Sequence, residues 1–171
     1  YDRTIVLNGV SKAYAMTGWR IGYCGGPAHI ITAMENIQSQ STSNPTSISQ
    51  VAAEAALNGD QSCIGPMVTA FTERNRFVTD ALNAMPGVRC LLSGGAFYAF
   101  ADTREAIARL CAKGILKDSG DVALSEYLLE HGGVAVVPGS AFGSEGYIRL
   151  SFATTMNNLE NALRRIAKVL E

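Results

Sequence analysis

The order of apolar and polar positions divides the chain into short strands and longer helices. Thr4-Ile5-Val6-Leu7 is β-branched and apolar on both faces, which predicts a strand buried in a parallel or mixed sheet. Arg20 to Gly25 predicts a second short strand, ended by Gly25-Gly26. Pro27 then opens a helix through about Gln38, with Ile30, Ile31, Met34 and Ile37 on one stripe. Gln38 to Ser47 is polar and uncharged, and Pro45 stops any helix before it, so the stretch reads as a linker. An alanine-rich helix from about Thr46 to Asn58 ends at Asn58-Gly59-Asp60, where a domain boundary is expected.

Beyond that turn the pattern lengthens. A helix from about Gly65 to Ala84 carries Met67, Phe71, Phe77 or Val78, Leu82 and Met85 at core spacing. Val88 to Leu92 and Ala96 to Phe100 predict two strands joined through Ser93-Gly94-Gly95. Helices over Thr103 to Ala112 and Asp121 to His131 follow, the second capped by Gly132-Gly133. Val134 to Val137 predicts a buried strand stopped by Pro138-Gly139. Tyr147 to Phe152 alternates so that Ile148, Leu150 and Phe152 share one face and Arg149 takes the other. A closing helix capped at Thr154 or Thr155 shows Leu159, Leu163, Ile166 and Leu170 at helical spacing. The second half thus predicts a mixed sheet of four strands with helices against it.

With 47% of its 171 residues hydrophobic and 17% charged, the chain can bury a core. Its 14 basic residues balance 15 acidic ones and are scattered, so nucleic-acid binding gains no support. Cys24, Cys63, Cys90 and Cys111 form no CxxC pair, and His29 and His131 stand alone, so no metal site is expected. Reduced thiols and a cytoplasmic location fit that composition. No apolar run reaches the ~20 residues of a membrane helix. The start at Tyr1-Asp2-Arg3 has neither Met nor signal-peptide character and reads as cut rather than begun.

Candidate chemistry concentrates between Asn8 and Tyr23, where Lys12 and Arg20 stand among glycines and small residues just past the first strand. Ligand sites collect at such strand ends in open α/β sheets. A lysine there is either a surface charge or, when partly buried, a neutral amine suited to Schiff-base chemistry. Arg20 is either half of a salt bridge or a permanent cation offering fixed donors to a phosphate. Arg149, on the polar face of its strand, suits bidentate binding of a carboxylate, with a sheet-surface salt bridge as the alternative.

The run Ser11-Lys12-Ala13-Tyr14-Ala15-Met16-Thr17-Gly18-Trp19-Arg20-Ile21-Gly22-Tyr23 resembles the cofactor-lysine signature of the class I/II aminotransferases of fold type I, which use pyridoxal 5'-phosphate (PLP). Gly94-Gly95-Ala96-Phe97-Tyr98 is similar to that family's glycine-aromatic strand. Val136 to Gly143 followed by Ile148 to Phe152 is similar to its substrate-carboxylate segment. The resemblance implies that Lys12 binds PLP as a Schiff base and serves as general base, that Arg20 holds the phosphate with Ser11 beside it, and that Arg149 holds the substrate carboxylate. Some relatives carry a phosphate-binding serine where this chain has Gly9. Tyr14 and Trp19 read as core residues.

By that likeness the fold is α/β. Residues 1–60 are a remnant of the PLP-binding large domain, with its mixed, mostly parallel sheet, and 61–171 form the α+β small domain. Activity would be transamination between an amino acid, aspartate or a related donor, and a 2-oxo acid, in a homodimer whose loop at Gln40 to Pro45 lies near the partner's site. The family's acidic partner for the PLP ring nitrogen precedes the cofactor lysine, and Asp2 is no evident substitute. The chain is therefore expected to be the C-terminal portion of a family member, inactive as an isolated piece and prone to self-association. The alternative is a non-catalytic aminotransferase-like module for dimerisation or ligand sensing.

Overall fold

Strands β1 (Val6–Gly9) and β2 (Gly22–Gly25) pair antiparallel from Val6↔Gly25 to Gly9↔Gly22. Glycine at both members of the last pair lets the backbones close: a Cβ on Gly9 would lie 3.3 Å from the Ile21 carbonyl oxygen, and one on Gly22 would lie 3.1 Å from that of Asn8. A serine at position 9 would be crowded for the same reason. These elements belong to a computed structural model that describes residues 1–171. It divides into two compact units, Tyr1–Val68 and Thr69–Glu171.

In the first unit, α1 (Ala28–Ser41) starts behind Pro27, and α2 (Ser47–Asn58) starts behind Thr46. Pro27 cannot donate a backbone hydrogen bond, which costs nothing at a helix start. The expected linker is shorter than its polarity suggested, because α1 runs on to Ser41 and leaves Thr42 to Thr46 as the connection. The expectation of a buried first strand is corrected: Val6 and Leu7 are exposed, and β2 is the strand's single partner in the sheet. No residue of α1 is buried, and α2 buries Ser49 and Ala53 alone. The stripe through Met34 and Ile37 therefore faces solvent.

The second unit follows from its periodicity more directly. Helix α3 (Ile64–Asn83) crosses the division between the units and buries Val78, Thr79 and Leu82. Strands β3 (Arg89–Cys90), β4 (Tyr98–Asp102), β5 (Val137–Pro138) and β6 (Tyr147–Ser151) form one sheet in the order β3-β4-β6-β5. All three pairings are antiparallel, where a mixed sheet was expected. The long pairing, Tyr98↔Ser151 to Asp102↔Tyr147, sets Ala99, Ala101, Ile148 and Leu150 on the buried face.

Helices α4 (Arg104–Ala112), α5 (Asp121–Gly132) and α6 (Met156–Leu170) complete the core. Gly133 caps α5 in the left-handed conformation at φ 61°, which glycine adopts without a side-chain penalty. Thr155 caps α6 by accepting the Asn158 N–H at 3.3 Å. Leu159, Leu163, Ile166 and Leu170 of α6 are all buried, as their spacing predicts. No helix is long and apolar enough to cross a membrane.

Candidate active site

The site residues of the first unit lie in the connection between β1 and β2. Lys12 is three residues past the end of β1 and Arg20 two before the start of β2, so the antiparallel pairing brings both to the same end of the sheet. The connection is folded rather than loose. The Tyr14 N–H donates to the Val10 carbonyl at 3.3 Å and the Ala15 N–H to that of Lys12 at 3.2 Å, closing a helix-like turn around Ser11 and Lys12. Val10, almost wholly buried, anchors its base.

Arg20 adopts a left-handed backbone (φ 51°) at the end of the short 3₁₀ turn Thr17–Trp19, and its Nη1 donates to the Thr17 carbonyl at 3.0 Å. A non-glycine residue at positive φ is uncommon and mildly strained. The guanidinium is thereby tied to its own turn through one of its five N–H donors. Lys12 and Arg20 are both exposed, and Ser11 is half-buried. Asp2 precedes β1 while Lys12 follows it, so the whole strand separates them.

Tyr14 is fixed from outside the turn. Its hydroxyl donates to Gln61 Oε1 at 2.8 Å, while Gln61 Nε2 donates to the carbonyls of Ala56 (2.9 Å) and Gly59 (2.8 Å) at the end of α2. Gln61 therefore bridges the lysine turn and the helix C-terminus, a role that its place after a turn gave no reason to expect. Trp19 is 45% exposed, which corrects its assignment to the core.

In the second unit, Arg149 is central in β6, paired with Phe100 on β4 and Val137 on β5. Ion pairs join Arg89 to Glu105 and Arg104 to Asp102. Arg149 instead sits 4.3 Å from the ring centroids of both Tyr98 and Phe142. Such contacts hold a guanidinium without neutralising it. Sequence reasoning named the segments containing Tyr98 and Phe142 but gave neither a role, because the contact depends on cross-strand register and on a turn.

That turn, Gly139–Phe142, is held by Asp121, which is buried at the start of α5. The Ser140 N–H donates to Asp121 Oδ2 at 2.6 Å. Burial pushes the Asp121 carboxyl up, but the bonds from Ser140, from its own N–H and from Gly146 outweigh that and leave it below its ordinary value. Asp102 is also held low, first by its hydrogen bond with Arg104, against a smaller desolvation cost. Two larger cavities, about 610 Å³ beside α6 and about 830 Å³ beside β2, include none of Lys12, Arg20 or Arg149 among their lining residues.

The family model for aminotransferase class I and II matches residues 1–166, and the chain belongs to that family. It is 71% identical over 168 residues to an aspartate/prephenate aminotransferase of Nitrosomonas europaea, covering 98% of this chain and 42% of the relative. An aspartate aminotransferase of Rhizobium meliloti is 49% identical over 166 residues, 97% of this chain and 40% of its own length.

Solved structures agree in fold. A crystal structure of the aspartate aminotransferase from Rhizobium meliloti superposes with a TM-score of 0.89 at 46% identity, over 99% of this chain and 42% of that one. An aromatic aminotransferase from Pyrococcus horikoshii gives 0.88 at 38% identity, over 99% and 43%. The chain spans about two fifths of the length of the relatives it matches.

Proposed function

We propose that the chain carries the cofactor-lysine and carboxylate-arginine parts of a PLP-dependent aminotransferase that uses aspartate or a related amino donor and a 2-oxo acid. The observation that carries this reading is the return of β1 and β2 to one another, which assigns Lys12 and Arg20 to a single turn region in a chain of this family. A primary amine and a permanently charged guanidinium at one sheet end fit an aldehyde that bears a phosphate. When bound, PLP supplies the electrophilic carbonyl and the electron sink of the reaction.

In this reading Lys12 Nζ is the covalent anchor and, once displaced, the base that carries the substrate α-proton. Arg20, its Nη1 already engaged by Thr17, holds the phosphate through its remaining donors. Ser11 lies next to Lys12 on the same turn and contributes a hydroxyl to that region. Arg149 orients the substrate by its α-carboxylate, with Tyr98 and Phe142 limiting where the guanidinium can move. Residues 1–60 would then belong to the PLP-binding large domain and 61–171 to the small domain. A cytoplasmic homodimer is part of the same proposal.

Borohydride reduction of the chain with PLP, followed by peptide mass analysis, tests it. The expected label is on Lys12, and Arg20→Ala weakens capture by about tenfold, the loss of a charge-assisted contact. Labelling spread over other lysines, or none at all, would overturn the assignment. The acid that would face the ring nitrogen is not among the residues assigned, so capture without ordinary turnover of aspartate is the expected behaviour of these 171 residues.

A further inference from the structure

We infer that Asp121 is a positioning residue, its buried carboxylate pinning the Gly139–Phe142 turn so that Phe142 lies against the Arg149 guanidinium. This rests on the reading of Arg149 as the carboxylate-holding residue. An acid in the first turn of a helix is ordinarily explained by the helix dipole, for which an exposed side chain suffices. Asp121 is instead 3% exposed, at a substantial desolvation cost. Besides bonding its own N–H, the carboxylate accepts through Oδ2 at 2.6 Å from Ser140, nineteen residues away, and from Gly146. The carboxylate is thus committed to the turn.

The turn is secured at its far end as well. Buried Thr103 donates to the Gly146 carbonyl through both its N–H (2.9 Å) and its hydroxyl (2.8 Å). Just before the Ser140 attachment the chain folds back so closely that a Cβ on Gly139 would lie 2.4 Å from the Ser144 carbonyl oxygen and 2.6 Å from Tyr147 Cβ. Phe142 is 48% exposed, so burial does not fix its ring. What it meets is the edge-on ring of Phe100, with centroids 6.3 Å apart, and the Arg149 guanidinium at 4.3 Å. Holding the backbone on either side of Phe142 therefore determines whether that ring reaches the cation.

The test is the Arg149 side-chain Nε–H resonance in the ¹⁵N-labelled chain, identified by its absence in Arg149→Lys. Ring currents displace this line in the wild type, and Phe142→Leu removes the part due to Phe142. Asp121→Ala should move the line in the same direction by at least half as much. Asp121→Asn, which keeps one acceptor oxygen, should move it less. An unmoved line in Asp121→Ala, with Phe142→Leu displaced, would overturn the inference.

If Asp121→Ala does not fold, amide exchange in the wild type decides. A Ser140 N–H as protected as that of Ile148 supports the pin, and one exchanging like an unstructured amide overturns it. Titration with succinate separates the two readings. A wild-type Arg149 line that ignores succinate overturns the carboxylate role and leaves the ring-current comparison to judge Asp121. A response in the wild type that weakens about tenfold in Asp121→Ala, the scale of one charge-assisted contact, supports both.

Discussion

The two units use similar apolar patterns to different ends. In Thr69–Glu171 the stripes of α3 and α6 and the inner faces of β4 and β6 meet in one continuous core. In Tyr1–Val68 the buried hydrophobic residues are Val10 and Ala53, while Ile37 is 72% and Val51 66% exposed. Helical periodicity is as readable in α1 as in α6. A stripe therefore announces a face suited to burial without saying what covers it, and contiguous exposed apolar surface is where covering partners bind.

The sharpest way to break this comparison is a matched pair of truncations. Ile166→Ala, at a wholly buried position, should cost about 2–5 kcal/mol in a denaturant titration, whereas Ile37→Ala should change stability by less than about 0.5 kcal/mol. Equal costs would mean that the exposed face of α1 is covered in solution.

Acid should act next, and chiefly on the second unit. A carboxyl held below its unfolded value adds stability above an unfolded pKa of ~4 and loses it as pH falls through the folded value. Asp102 and Asp121 are both held low, so thermal stability should drop as pH falls below about 4. Asp102→Asn should flatten that drop, and an unchanged profile would remove Asp102 from the account.

Single hydrogen bonds give a smaller contrast. Thr155→Ala removes the cap of α6 and should cost about 1 kcal/mol of global stability. Tyr14→Phe removes the Gln61 bond and should instead raise amide exchange locally around Lys12. The smallest effect belongs to Arg89→Ala. Its ion pair with Glu105 spans 3.5 Å between two exposed side chains, and its loss should be within about 0.5 kcal/mol in the same titration.

Legibility in the sequence followed the same division. The long helices were readable because their stop signals and stripes are local: α2 starts one residue after the predicted Thr46, α3 is displaced by one residue, and α6 buries all four predicted leucine and isoleucine positions. Short strands were less so. The predicted Val88 to Leu92 forms ladder pairs only at Arg89 and Cys90, since pairing depends on a partner strand and not on the segment itself. For the candidate site, Lys12, Arg20 and Arg149 could be proposed from their neighbours in the chain. The contacts of Asp121, Gln61 and Tyr98 could not, because each is with a residue distant in sequence, and that of Phe142 with Arg149 depends on how the turn before β6 folds back.

Gly139 and Gly143 bracket one turn, yet they tolerate change by opposite rules. At Gly139 the obstacle is space, since any side chain meets Ser144 and Tyr147. Gly143 has open space where a Cβ would go but a backbone at φ 77°. In a saturation scan of the turn, position 139 should therefore reject every other amino acid, whereas position 143 should admit asparagine and aspartate and turn away β-branched residues. Two glycines that look interchangeable on paper would leave different mutational signatures.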